Sequence, residues 1–260
     1  LIKRSDDIDD IDDIGKWRKT HFTTDISIKN ENEEIMAMGW VEKMYSIGGI
    51  KFLLLRDMKG ILQIAIKSNE TTKEVLNKVV NLSVESAIAV KGRVKRDERA
   101  PRGIELIPIE MKILSKAAKI PFDINRSDIN IDTQFNYRSL SLRSKRTRSI
   151  LLIRESVAQE ARSHFKREGF IETFSPKIIG SATEGGTELF PILYYGKEAF
   201  LSQSPQLHKQ VATLGFEKVF EMGPYFRAQA SHTTRHLTEF WSIDVEKAFA
   251  TDEIIMEDLE

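Results

Sequence analysis

One stretch limits the folds open to this chain more than any other: residues 220–245 alternate, turn, and alternate again. Phe220, Met222, Pro224 and Phe226 interleave with polar or small residues, the period-two mark of a strand. Ser231, His232, Thr233 and Thr234 are polar and turn-prone. Leu237, Phe240, Ile243 and Val245 then restart an apolar pattern. Arg227 leaves the first strand, and Arg235 and His236 close the loop. A planar guanidinium suits bidentate contact with phosphate. These residues by themselves fit either an anion-gripping hairpin or an ordinary one with solvated charges.

At 260 residues and 41% apolar content, the chain suits one large or two ordinary domains with real cores. It has no cysteine, which excludes a disulfide framework and thiolate metal ligation and fits a reducing compartment. No apolar run reaches membrane-spanning length, and no signal-peptide pattern opens the sequence. The 39 basic and 39 acidic residues balance, which argues against indiscriminate coating of nucleic acid. Two local basic runs stand out. One covers Lys91–Arg96 and continues through Arg99 and Arg102; the other runs from Arg138 to Arg154 with no acid inside it. Each is either a solvated face or a track for phosphates.

Composition and periodicity divide the chain. Residues 1–15 repeat an Asp-Asp-Ile pattern and read as a mobile acidic tail. Residues 16–115 show short strands at 35–41, 50–57, 61–66, 86–94 and 104–114, with a helix over 73–80. Five strands with one helix between the third and fourth is the pattern of a Greek-key OB barrel. Residues 116–143 hold Pro121 and many Asn, Asp and Ser residues, and read as a linker or hinge. From 144 to 260 the pattern is mixed. Ile150, Ile153, Val157, Ala161 and Phe165 predict an amphipathic helix over 144–168. Gly169 stops it, and a strand over 170–174 ends before Pro176. Further on, Ser204-Pro205 suits a helix start, which puts Gln206 and Lys209 on one helical face. An amide and a cation on one face suit a small zwitterion carrying an extra carboxylate.

The string Phe226-Arg227-Ala228-Gln229 through Arg235-His236-Leu237-Thr238-Glu239-Phe240 resembles motif 2 of the class II aminoacyl-tRNA synthetases. It lies nearest the archaeal and eukaryotic type of aspartyl-tRNA synthetase. The helix–strand–Pro176 series resembles motif 1, which in that family builds a homodimer interface. The resemblance covers about residues 18–260 and implies an α+β chain: an OB-fold barrel, then the first part of a class II antiparallel-sheet catalytic domain. It implies activation of aspartate with ATP and transfer of the aspartyl group to tRNA, in the cytoplasm. Arg227 then grips the α-phosphate and the substrate carboxylate. Arg235 and His236 reach the outer phosphates, Phe240 stacks on adenine, and Gln229 stands in the same ATP site where the family has glutamate. Glu184, in Thr183-Glu184-Gly185-Gly186, reaches the α-ammonium, and Asp244 helps hold it. Gln206 binds the backbone end of the amino acid, and Lys209 pairs with its side-chain carboxylate. Lys209 favours aspartate over lysine or asparagine, which gain nothing from a cation there.

In the barrel, Phe52 and Gln63 stand eleven apart on adjacent predicted strands, a spacing that can bring both to one face. An aromatic ring can stack an unpaired base and an amide can read its edge. The resemblance makes this pair the reader of the middle anticodon uridine. Pro101, in Arg99-Ala100-Pro101-Arg102-Gly103, resembles members that also charge the asparagine tRNA, while Glu42, two after Trp40, matches neither pattern. The family's third motif, with its further ATP arginine and magnesium-holding acids, is expected beyond residue 260, so no metal ligand is expected here. A non-catalytic tRNA-binding paralogue is the alternative, motivated by Gln229 and the lack of motif 3. An asparagine-making paralogue is disfavoured by the barrel.

Overall fold

The computed structural model describes residues 11–126, 128–183, 188–230 and 236–259. They form two compact units, one reaching Asp123 and one starting at Ile124. In the first, β1 (Glu34–Ile47), β2 (Ile50–Arg56), β3 (Ile61–Ile66), α1 (Lys73–Val80), β4 (Ala87–Arg96) and β5 (Ile104–Ser115) follow in order. The strands close into a barrel ordered β1-β2-β3-β5-β4, with β1 pairing β4 and a short parallel contact of β3 with β5. Leu53, Leu55, Ile64, Ile88, Val90 and Leu106 fill its interior, and α1 adds Val75 and Val79. Gly48 and Gly49 take positive φ (56° and 82°) in the two-residue turn between β1 and β2, a conformation that glycine adopts without strain.

β1 outruns the strand expected at 35–41. A bulge between Val41 and Lys43 carries it on to Ile47. The residue in that bulge, Glu42, reaches Arg56 at 3.5 Å. Arg56 also makes two parallel hydrogen bonds to Glu85, 2.9 and 2.8 Å. Nearby, Gly39 lies so close to β2 that an added Cβ would collide with the Arg56 carbonyl. At the β2–β3 turn, Asp57 accepts from Thr23, Lys19, Lys59 and Gly60. Burial by itself would raise its pKa, but the Lys19 and Thr23 bonds win and bring it to about 2. The acidic-tail reading does not extend to Asp12, which is fastened to β5: its N–H donates to the Ile113 carbonyl and its carboxylate accepts the Ile113 N–H at 2.7 Å. Residues 1–10 of that tail lie outside the described residues.

The second unit contains α2 (Ile131–Asn136), α3 (Arg138–Ser141), α4 (Lys145–Arg167), β6 (Ile171–Glu172), β7 (Ile178–Ile179), β8 (Pro191–Tyr194), β9 (Lys197–Leu201), α5 (Gln206–Phe216), β10 (Lys218–Phe226), β11 (Glu239–Lys247) and α6 (Asp252–Leu259). The helices α2 and α3 fall inside the stretch read as linker; Asn130 starts the first by accepting the Asp132 N–H. One sheet runs β11-β10-β6, with β10 and β11 antiparallel; another runs β7-β9-β8. β6 is shorter than the expected 170–174, because Ser175 bonds the Glu221 side chain instead of continuing the ladder.

Ser144 caps α4 through the Thr147 N–H, and Gly169 ends it at φ 82°. Its C-terminal half packs Phe165, with Phe170, on Phe220 and Met222. Toward its N-terminal half the apolar face of this amphipathic helix is open. Ile150, Ile153 and Val157 are 57%, 63% and 56% exposed, since no described element of the unit covers the helix there. No described helix is long and apolar enough to cross a membrane.

Candidate functional site

β10 is the middle strand of its sheet, so both of its faces meet something. On one face Phe220 and Met222 join Val245 under α4. On the other, Glu221, Gly223 and Tyr225 lie opposite Asp244, Ser242 and Phe240, and the Arg227 N–H continues the ladder to the Thr238 carbonyl. Period two thus sorts one strand into an apolar side and a chemical side.

α5 packs on the chemical side and delivers Lys209, which is 4% exposed. Its ammonium lies 3.5 Å from Asp244 Oδ1, 3.5 Å from Glu246 Oε2 and 3.2 Å from the Val245 carbonyl. A buried ammonium needs such partners, because its hydration is lost. Gln206, one turn earlier, donates to Glu246 Oε2 at 3.4 Å. Asp244 Oδ2 is buried with no hydrogen-bond partner among the described residues. A buried acceptor left so costs free energy until a donor meets it. Further along the face, the Arg227 guanidinium sits 5.3 Å from the centre of the Phe240 ring. The face therefore offers a cation flanked by acids at one end and a guanidinium with an aromatic platform at the other.

On the same face lies a tight polar knot. Lys177 Nζ donates to Glu221 Oε1 at 2.5 Å and to the Tyr225 hydroxyl at 2.8 Å. Tyr225 donates to the same carboxylate at 2.6 Å, and Ser175 adds a further 2.7 Å bond. Burial pushes the Glu221 carboxyl up, yet bonds from Lys177, Tyr225 and Ser175 together hold it below its usual range. Burial, then the adjacent Glu221, pushes the Tyr225 hydroxyl well above its ordinary range. The knot joins the loop after β6 to the middle of β10, and backbone bonds extend that frame from Phe226 N–H to the Ser202 carbonyl and from Ala228 N–H to the Glu188 carbonyl.

Five of the residues expected at the site share this face: Gln206, Lys209, Arg227, Phe240 and Asp244. Gln229 and His236 lie beyond the strand ends and are exposed. Glu184 and Arg235 lie outside the described residues. Sequence reasoning missed Glu246, although its place two residues after Asp244 on one strand puts both on one face. It also missed the Lys177 knot, whose members are far apart in sequence and of ordinary type. Among the described residues, no group of three or more His, Cys, Asp or Glu side chains is placed to hold a metal ion.

In the barrel, Phe52 and Gln63 share a face, since Leu54 pairs with Gln63 and Phe52 with Ala65. Phe52 lies outside the apolar core and stacks on Tyr45 with ring centres 5.2 Å apart. Gln63 is 5% exposed and accepts from the Tyr45 hydroxyl at 2.9 Å.

The barrel and the two-faced sheet define a tRNA synthetase of the second class. Residues 130–260 match the family described as class II tRNA synthetases (D, K and N), and residues 35–114 match the OB-fold nucleic acid binding domain; the chain belongs to the class II family. Relatives named aspartate–tRNA(Asp/Asn) ligase include those of Methanococcus aeolicus, 43% identical over 95% of this chain, and Archaeoglobus fulgidus, 45% identical over 92%. The chain spans 57% and 56% of those proteins. Among solved structures, asparaginyl-tRNA synthetase from Pyrococcus horikoshii with asparaginyl-adenylate superposes at a TM-score of 0.88 and 33% identity, over 92% of this chain and 55% of that one. An aspartyl-tRNA synthetase assignment from Leishmania major superposes at 0.83 and 26%, over 96% and 52%.

Proposed function

We propose that the protein is an aspartate–tRNA ligase. Aspartate's α-carboxylate attacks the α-phosphate of ATP, pyrophosphate leaves, and the aspartyl group passes to the terminal adenosine of tRNA. The observation that carries this reading is the buried Lys209 between Asp244 and Glu246, with one Asp244 oxygen unmet among the described residues. In the proposal Lys209 takes the side-chain carboxylate of aspartate. Asp244, with Glu184, takes the α-ammonium, and Gln206 the backbone end. The Arg227–Phe240 pair fits a nucleotide, the guanidinium toward phosphate and the ring toward adenine, with Gln229, Arg235 and His236 completing the ATP contacts. Magnesium accompanies ATP, and none of its ligands is assigned here. The protein's part is positioning and charge neutralisation.

Phe52 and Gln63 read an unpaired anticodon base, and Pro101 supports charging of both the aspartate and asparagine tRNAs. The exposed face of α4 forms a homodimer contact, and the location is cytoplasmic. The test is aspartate-dependent ATP–pyrophosphate exchange. Lys209→Ala should cost about 2–5 kcal/mol in aspartate use, because a carboxylate is left buried without its cation, while ATP affinity changes little. Exchange by Lys209→Ala at the parent rate and aspartate KM would overturn the assignment.

A further inference from the structure

We propose that Tyr45 is a positioning residue that sharpens which pyrimidine the barrel accepts, by anchoring the oxygen end of the Gln63 amide, whose direction Glu105 sets. The inference rests on the reading of Phe52 and Gln63 as the anticodon-base site. Four side chains form one hydrogen-bonded row. Lys67 Nζ donates to Glu105 Oε1 at 2.7 Å, Gln63 Nε2 donates to Glu105 Oε2 at 3.4 Å, and Tyr45 Oη meets Gln63 Oε1 at 2.9 Å. Glu105 is 1% exposed and Gln63 is 5% exposed, so neither can turn to water instead.

The chemistry gives the row one direction. An ammonium only donates and a carboxylate only accepts. Glu105 therefore demands the NH2 side of Gln63, which leaves the amide oxygen facing Tyr45, and the hydroxyl must donate. Turning the amide over would set its oxygen against a carboxylate. Glu105 and Tyr45 thus hold the amide from its two ends. What remains for a ligand is one Nε2 hydrogen and one Oε1 lone pair, in a fixed order.

That order distinguishes bases of one size. At neighbouring positions of its pairing edge, uracil presents an acceptor at O4 and a donor at N3. Cytosine presents a donor at N4 and an acceptor at N3. For a base held in one place by stacking on Phe52, an amide of one direction matches one pyrimidine, and the turned amide matches the other. Tyr45 has a second hold on the site, since its ring stacks on Phe52 at an interplanar angle of 21°. The hydroxyl anchors the amide oxygen and the ring sets the platform.

The experiment separates those two holds. Binding of anticodon stem-loop RNAs with uridine or cytidine at the middle position is measured by fluorescence anisotropy for the parent, Tyr45→Phe, Tyr45→Ala, Phe52→Ala and Gln63→Ala. Tyr45→Phe keeps the ring and removes the donor. It should lower the uridine-to-cytidine affinity ratio by about three- to tenfold, the worth of one hydrogen bond, with melting unchanged. Tyr45→Ala should lose the ratio and also weaken both RNAs together, by roughly fivefold or more as the platform loosens. An unchanged ratio in Tyr45→Phe, while Phe52→Ala and Gln63→Ala do weaken binding, overturns the role of Tyr45 and leaves the anticodon site standing. No effect of Phe52→Ala or Gln63→Ala overturns both.

Discussion

Replacing Arg56 by Met removes the guanidinium that bridges the buried carboxylates of Glu85 and Glu42. The Arg56, Glu85 and Glu42 side chains are 5%, 2% and 10% exposed. The substitution takes away two parallel hydrogen bonds to Glu85, at 2.9 and 2.8 Å, and a second ion pair, to Glu42, at 3.5 Å. Methionine fills much of the volume, so cavity formation is a minor part of the effect. The main cost is two buried carboxylates losing their guanidinium partner, and breaking a buried pair costs about 3–5 kcal/mol. The barrel's stability should fall by that amount. Hydrogen exchange of peptides from β1, β2 and β4 isolates the barrel from the second unit. Protection limited by global opening should drop by about two to three and a half powers of ten. Adding Glu42→Gln and Glu85→Gln should restore most of it, because neutral amides carry a far smaller desolvation penalty. A loss below about 1 kcal/mol, the range of exposed pairs, would refute the reasoning.

Two further outcomes are expected. The folded-state pKa of Asp57 is about 2 against an ordinary 3.8, so its contribution is present above pH 3.8 and is lost as pH falls toward 2. That difference is worth about 2 kcal/mol, and Asp57→Asn should remove it at neutral pH and flatten the acid limb of barrel stability between pH 4 and pH 2, read by urea titration. On α4, Ile153→Asp should abolish self-association measured by sedimentation velocity while leaving the melting temperature within a few degrees, because Ile153 is 63% exposed in the single chain; a dimer of unchanged affinity would exclude this face as the contact.

The barrel was largely legible in the sequence because each strand has one core-facing side and each turn has its own chemistry. Gly48-Gly49 marks one hairpin, and both glycines take positive φ there. The bulge at Glu42 was not legible, since the partner Glu42 finds there is Arg56, a residue on the next strand that also pairs with Glu85 just before β4. Along α4 the apolar period gave the helix but not its covering. Phe165 and Ile153 look alike in a periodic pattern, yet the first is 5% exposed and the second 63%. The hairpin of β8 and β9 went unread, as Leu193 and Tyr194 break the alternation with exposed apolar residues. At the site, Gln206 and Lys209 were found by helical spacing and Arg227 by its loop. The Lys177 knot depends on contacts more than forty residues apart, between side chains that are commonplace one at a time.

The division of β10 into an apolar side and a chemical side limits how this part of the chain can change over evolution. A single inserted or deleted residue within Lys218–Phe226 would turn Phe220 and Met222 toward α5 and send Glu221 and Tyr225 under α4. Packing and chemistry would fail in one step, and no single compensating substitution could mend both. Length variation in this hairpin is therefore confined to the segment between Arg227 and Thr238, where the ladder has already closed. Related chains should differ there in loop length while keeping the spacing within each strand unaltered.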